Sequence, residues 1–384
     1  MKDKKNTQGF ATKAIHSGQE PDPTTGAIIG PIYTSSTYVQ DSPGEHKGYD
    51  YSRTANPTRR ALEICIADLE EGGQGFAFSS GMAATATVLE ILDSGDHVIS
   101  MDDLYGGTYR LFENVRKRSS GLDFSYSNLT SLDNLESFLK PNSKMIWVES
   151  PSNPLLKVVD LKKVSEFGKK HNLITVCDNT FCSSYVQKPL SLGFDIVLHS
   201  ATKYLNGHSD VISGALAARE NSEFWQRLVA IRAQSGAVPS PQDASQLLRG
   251  MRTLFLRVRE SCQNALYIAE QLEQHLNVTE VLYPGLKSFA GHDVATKQMQ
   301  GGFGGMLSIR LAGGEKAAIA VAAQTQLWHR ATSLGGVESL IEHRSSIEGP
   351  DTPVPSDLLR LSVGIESADD LLKDLQQAID SAHA

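Results

Sequence analysis

The stretch LITVCDNTFCSSYVQKPLSLGFDIVLHSATK, residues 173–203, decides how this chain folds. Its two apolar runs, LITVC and the IVL that follows Asp195 in FDIVL, place apolar or β-branched residues at consecutive positions, so both faces of each strand need a core. Each run ends in polar groups: Asp178 after the first, and Ser200, Thr202 and Lys203 after the second. The amine of Lys203 therefore follows directly on a strand that reads as buried. Upstream, the runs GFAFSS, HVISMDD and KMIWVESP repeat the pattern, with helix-like segments such as GMAATATVLEILDSG and DLKKVSEFGKKHN among them. Strand-then-helix order with doubly apolar strands predicts an α/β fold whose mostly parallel sheet is covered on both faces.

At 384 residues the chain exceeds what one core usually serves, so two domains and an arm are expected. Residues 1–54 are rich in Thr, Ser, Pro and Gly, lack sustained periodicity and read as an ordered arm. Residues 55–248 carry the sheet. From 249 the rhythm changes. A long helical pattern from Arg249 to Leu276 precedes VTEVLYPG, QGGFGGMLSIRL, the helix-like GEKAAIAVAAQTQ, LLRLSVGIE and a final helix-like SADDLLKDLQQAIDSA, which together predict a smaller C-terminal α+β domain over 249–384. No internal repeat or low-complexity tract interrupts this order.

Hydrophobic residues make up 40% and charged residues 21%, as in an ordinary globular chain. A formal net charge of −8 works against binding nucleic acid or an anionic membrane surface. The N-terminus lacks the apolar stretch of a secretory signal, no run reaches transmembrane length, and the four cysteines lack CxxC spacing; a reduced, cytoplasmic setting is expected. Cys177 and Cys182 read as small buried hydrophobes. The eleven histidines form no ligand pattern, so no metal site is expected, and His199 and His208 read as structural. A dinucleotide fingerprint, a Walker A motif, HExxH and GxSxG are all missing.

Ligands of a doubly wound sheet bind beyond the carboxyl ends of its strands. Ser80-Gly81-Met82, between GFAFSS and a helix, is either an N-cap or a phosphate cradle. Glu149 to Pro154 is a plain turn or the presentation of a polar amide, Asn153. Asp178 is an N-cap or a counter-charge for a protonated ring nitrogen. Lys203 is a surface charge or, if desolvated, a nucleophile able to form a Schiff base. A phosphate cradle, a carboxylate and a lysine at neighbouring strand ends match the needs of pyridoxal 5'-phosphate (PLP).

The segments YSRTANPTR, SSGMAAT, MDDLYGGTYRLF, ESPSNPLLKVVDL, CDNTF, SATKYLNGHSDVISGA and LLRLSVGIE together resemble the Cys/Met-metabolism family of PLP enzymes, which includes cystathionine β-lyase, γ-lyase and γ-synthase. The resemblance covers nearly the whole chain and implies the aspartate-aminotransferase fold, PLP fold type I. It implies that Lys203 holds PLP and shuttles protons, that Asp178 pairs with the pyridine nitrogen, and that Tyr105 stacks on the ring and assists as a catalytic group. Ser80, Gly81, Met82, Ser200 and Thr202 would lie at the phosphate, joined by Tyr51 and Arg53 reaching from the arm of a neighbouring subunit. The active enzyme would then be a homotetramer, at least a homodimer. Asn153, Ser333 and Arg360 would hold an amino-acid substrate, with Arg360 on its α-carboxylate.

Within that family, γ-lyases and γ-synthases carry Glu-Ser-Leu-Gly-Gly where this chain has Thr332-Ser333-Leu334-Gly335-Gly336. The segment RSSIEGPDTPVPSD is shorter than its usual counterpart near the substrate entrance, and Gly107 stands where methionine γ-lyases have cysteine. Asp50 instead resembles the γ-enzymes. The expectation is a carbon–sulfur lyase that cleaves cystathionine, β-elimination ahead of γ-elimination, with γ-synthase as the alternative and a non-catalytic PLP-binding protein as the rival from another class.

Overall fold

Seven strands form the larger sheet of the computed structural model, which describes residues 8–219, 223–348 and 354–384. In chain order they are β1 (Gln74–Phe78), β2 (His97–Met101), β3 (Asp123–Ser127), β4 (Ser143–Glu149), β5 (Ile174–Asp178), β6 (Ile196–His199) and β7 (Gly214–Ala218). They lie in the order β1-β7-β6-β5-β4-β2-β3. Neighbours from β3 across to β6 pair in parallel, and β7 runs antiparallel to both β6 and β1. This is the mostly parallel sheet that the strand-then-helix rhythm predicts. Every residue of β2, β6 and β7 is buried, as strands covered on both faces require. Strand β7, GALAA, escapes the sequence pattern because alanine carries little strand preference; its place between β1 and β6 makes it a strand.

The smaller sheet comprises β8 (Val278–Leu282), β9 (Met306–Leu311), β10 (His329–Arg330), β11 (Leu340–His343) and β12 (Leu358–Ser362), ordered β10-β11-β12-β9-β8. Its neighbours are antiparallel except β10 with β11. Leu307, Ile309, Leu359 and Leu361 of this sheet pack on Ile268 and Leu272 of one helix and Leu371 and Leu375 of another, Ala368–His383.

Two expectations differ from the structure. The pattern from Arg249 to Leu276 is not one helix but parts of two, Pro241–Met251 and Leu254–Leu272. The Gly250 carbonyl accepts from Arg257 Nη2 at 2.7 Å and from Thr253 Oγ1 at 3.3 Å, which diverts it from the helical ladder. The break lets Gly250 sit against the turn that follows Lys203, where a Cβ would stand 2.3 Å from the Asn206 carbonyl oxygen. The arm also contains a helix, Phe10–His16, whose Ala14 packs in the same cluster as Leu62 and Ile66 of the helix Pro57–Glu70. Beyond it the arm is largely exposed, Ile28 by 71% and Val39 by 88%.

Cys65, Cys177, Cys182 and Cys262 are free and buried, and burial raises each thiol pKa. They behave as small apolar residues, in line with the reading of Cys177 and Cys182. Buried His199 bonds to Glu70 at 2.5 Å, a structural contact. Among the described residues no helix is long and apolar enough to cross a membrane.

Candidate active site

The carboxyl ends of β4, β5 and β6, the turn after β1 and the smaller sheet enclose a cavity of about 420 Å3. Every site residue expected from the sequence lines it except Tyr51 and Arg53. Those two lie on the arm, where the Arg53 guanidinium carbon is 5.4 Å from the Tyr51 ring centre and Nη1 donates to the Ala233 carbonyl.

Ser80 caps the helix Gly81–Leu89, its hydroxyl accepting from Ala83 N at 3.0 Å. Both readings of this turn survive, because the cap uses Ala83 N while Gly81 and Met82 stand at the helix start, where N–H groups have no intrahelical partner. A Cβ on Gly81 would stand 2.9 Å from Ser200 Cβ and 3.0 Å from Ser200 Cα. Only glycine lets the helix start meet the Ser200 turn so closely. Thr202 secures that turn by exchanging hydrogen bonds with the Ser213 backbone at 3.0 and 3.1 Å.

Asp178, at the end of β5, is not an N-cap. Its Oδ1 accepts from Thr180 Oγ1 at 2.5 Å and Thr180 N at 3.0 Å, while Thr180 Oγ1 accepts from Ser200 N at 2.9 Å. Glu149 stands opposite Asp178 in the register of β4 and β5 and accepts from Tyr105 N at 2.8 Å. Burial raises the pKa of both carboxyls, and in Glu149 the neighbouring Asp178 adds to the effect. Asp178 has no ion-pair partner among the described residues. A buried carboxylate in that position is costly until a cation arrives.

Lys203 Nζ donates to Ser333 Oγ at 2.8 Å. Burial, then the positive charge of Arg360, brings its pKa down to about 8, against a smaller upward pull from Glu342. Arg360, on β12, stands opposite Glu342 of the neighbouring strand β11. Its Nη1 donates to Asn153 Oδ1 at 3.1 Å and its Nη2 to the Ser333 carbonyl at 2.9 Å, and Nη2 lies 2.5 Å from Glu342 Oε2. Burial lowers the Arg360 pKa to about 10, which leaves it charged at neutral pH. Ser333 has φ +88°, a left-handed conformation costing roughly 1–3 kcal/mol in a non-glycine residue. That conformation aims its hydroxyl at Lys203 and its carbonyl at Arg360.

The sequence reading assigned no role to Glu149, Thr180, Glu342, Arg344 or Glu348, all of which line the cavity or bond to residues that do. One signal existed: in LIEHR, Glu342 and Arg344 stand two residues apart beside β12. Asp50 accepts from Tyr51 N at 2.7 Å, outside the cavity. The shortened segment includes residues 349–353, which lie outside the described residues.

Residues 11–380 match the family described as Cys/Met metabolism PLP-dependent enzyme. The chain belongs to that family. It is 52% identical over 376 residues to a cystathionine beta-lyase of Coxiella burnetii, covering 96% of this chain and 97% of that one. It is 50% identical over 378 residues to a cystathionine gamma-synthase of Mycobacterium leprae, 97% of each chain. A crystal structure of cystathionine gamma-lyase from Lactobacillus plantarum complexed with L-serine superimposes with a TM-score of 0.94 at 41% identity, over 98% of this chain and 100% of that one. The fold is therefore PLP fold type I, the aspartate-aminotransferase type. PLP is the cofactor, an amino acid is the substrate, and the chain is a lyase or synthase of Cys/Met metabolism.

The residues fit PLP. Asp178, without an ion-pair partner among the described residues, would suit a protonated ring nitrogen, Lys203 has an amine partly neutral near pH 8, and the Gly81 approach keeps clear a cradle that a Cβ would fill.

Proposed function

We propose that this enzyme cleaves cystathionine by β-elimination, releasing homocysteine, pyruvate and ammonia. The observation that carries this reading is Thr332, which lines the cavity beside Ser333 where γ-enzymes of the family carry glutamate. The 52% identity to a protein named cystathionine beta-lyase supports it. Gly107 argues against methionine cleavage with a cysteine at that position, because a Cβ there would stand 2.4 Å from the Tyr105 ring. γ-Elimination to cysteine and 2-oxobutyrate is the second reading, favoured by Asp50 beside Tyr51; γ-synthesis follows, favoured by the Mycobacterium leprae relative.

Bound PLP supplies an electron sink for the negative charge that develops at the substrate Cα. Gly81, Met82, Ser200 and Thr202 would hold the phosphate with Ser80 capping the helix, Asp178 would supply the counter-charge to the ring, and Tyr105 would pack against it. Arg360 receives the α-carboxylate beside Asn153 and Ser333. The Lys203 amine, with its pKa near 8, takes the α-proton and returns protons later. Tyr105 stands by the substrate amine or the leaving sulfur as the second proton-handling group. Residues 1–54 act as an arm that carries Tyr51 and Arg53 to the phosphate site of a neighbouring subunit in a homotetramer. Residues 55–248 form the PLP-binding domain and 249–384 the second domain.

The test is to give purified, PLP-loaded enzyme cystathionine and identify the products. Pyruvate with homocysteine is expected. 2-Oxobutyrate with cysteine would overturn β-cleavage in favour of γ-cleavage, and cystathionine formed from O-acylhomoserine and cysteine with release of the acyl carboxylate, without cleavage of cystathionine, would establish the synthase. Binding of PLP without turnover of either kind would leave a silent binder.

A further inference from the structure

A chain of ion pairs runs from the substrate-carboxylate end of the cavity to its rim. Glu342 Oε2 lies 2.5 Å from Arg360 Nη2 and 3.1 Å from Arg344 Nη1, Arg344 Nη2 pairs with Glu348 Oε1, and Glu348 Oε2 lies 3.6 Å from Arg110 Nη1. The last separation exceeds a hydrogen bond. Glu348 is 16% exposed and Arg110 is 60% exposed, and both line the cavity. One carboxylate oxygen is thus committed to Arg344, while the other faces the exposed Arg110 at ion-pair distance without a direct hydrogen bond. An acceptor and a guanidinium side by side are complementary to an ammonium and a carboxylate borne on one carbon. Ile347 and Ile212, 58% and 69% exposed, line the same cavity and offer apolar surface to a thioether chain.

We propose that Glu348 accepts the ammonium group at the far end of the substrate, so that the enzyme recognises an amino-acid group at each end of cystathionine. The inference rests on the β-lyase reading and deepens it. Arg360 holds the reacting end; Glu348 holds the homocysteine end, with Arg110 beside it for the distal carboxylate. A substrate that lacks the distal ammonium leaves Glu348 Oε2 with the 3.6 Å ion pair to Arg110 but no direct hydrogen-bond donor from the ligand. Removing one charge-assisted hydrogen bond of this type changes recognition by roughly 10- to 100-fold.

The test compares cystathionine with S-(3-carboxypropyl)-L-cysteine, which lacks only the distal amino group, in wild-type enzyme and in Glu348→Gln, both loaded with PLP. β-Chloroalanine, whose leaving group carries no distal charge of this kind, reports the integrity of the β-elimination site. Wild type should favour cystathionine in kcat/KM by about tenfold or more; Glu348→Gln should bring the two substrates within about twofold, through KM for cystathionine, and keep its rate on β-chloroalanine. Glu348→Asp should restore part of the preference. A preference of unchanged size in Glu348→Gln, or equal losses on all three substrates, would overturn the role of Glu348 while β-cleavage of cystathionine stands. Wild-type turnover of β-chloroalanine without pyruvate from cystathionine would instead sink the β-lyase reading itself.

Discussion

Replacing Lys203 by methionine should stabilise the cofactor-free protein at neutral pH. The cavity lowers the amine pKa from 10.5 to about 8, chiefly by removing it from water. At pH 7 the amine is protonated in both the folded and unfolded chains, so the full shift opposes folding; at about 1.4 kcal/mol per pK unit it amounts to about 3 kcal/mol. Methionine has similar length and no charge. Loss of the hydrogen bond to Ser333 returns about 1 kcal/mol, leaving a net gain of about 2 kcal/mol. For 384 residues, a typical unfolding entropy turns this into a rise of roughly 2–3 °C in Tm. The sign with pH follows from proton counting. Between pH 8 and 10.5 the folded amine loses its proton while the unfolded one keeps it, so wild-type stability climbs and the advantage of the variant fades near pH 10. Thermal unfolding followed by circular dichroism, on both proteins stripped of PLP at equal concentration, measures this at pH 7 and pH 10. No gain at pH 7, or a gain of the same size at pH 10, would refute the claim that the cavity disfavours a charged lysine.

Gly81→Ala should leave the fold intact but weaken PLP binding by roughly 10- to 100-fold, since its Cβ would press on the Ser200 backbone at 3.0 Å; equilibrium dialysis with PLP measures the loss. Arg360→Lys should raise KM for amino-acid substrates by roughly 10- to 100-fold, because one ammonium cannot replace the planar fork that meets Asn153, Ser333 and Glu342 and still receives a carboxylate; steady-state kinetics report it.

The larger sheet is legible in the sequence where burial on both faces forces consecutive apolar residues, as in β2, β4, β5 and β6. Asp178 and Lys203 are legible for a related reason: polar groups directly after such strands mark the end where ligands bind. Strand β7 is not, because alanine fits several local structures and only its neighbours select one. The break at Arg252 and Thr253 is hidden too, since a side chain at Arg257 intercepts a carbonyl that local pattern would leave in the ladder. Glu149 reads as part of a turn, and its environment arises only when β5 lays Asp178 beside it. Glu348 and Glu342 acquire meaning from partners on other segments, Arg110 and Arg360, that spacing along the chain does not join.

The two sheets also divide the labour of the cavity. Lys203, Asp178 and the Gly81 helix start come from the larger one, whereas Arg360 and Ser333 come from the smaller and its loops. On the roles proposed above, changes in the smaller sheet and its loops would alter how the substrate carboxylate is grasped while the residues proposed to hold the vitamin stay as they are. Relatives bearing three different reaction names can share a single backbone on these terms, and exchanging the segment from Thr332 to Glu348 between them is a direct way to move a specificity without rebuilding a catalyst.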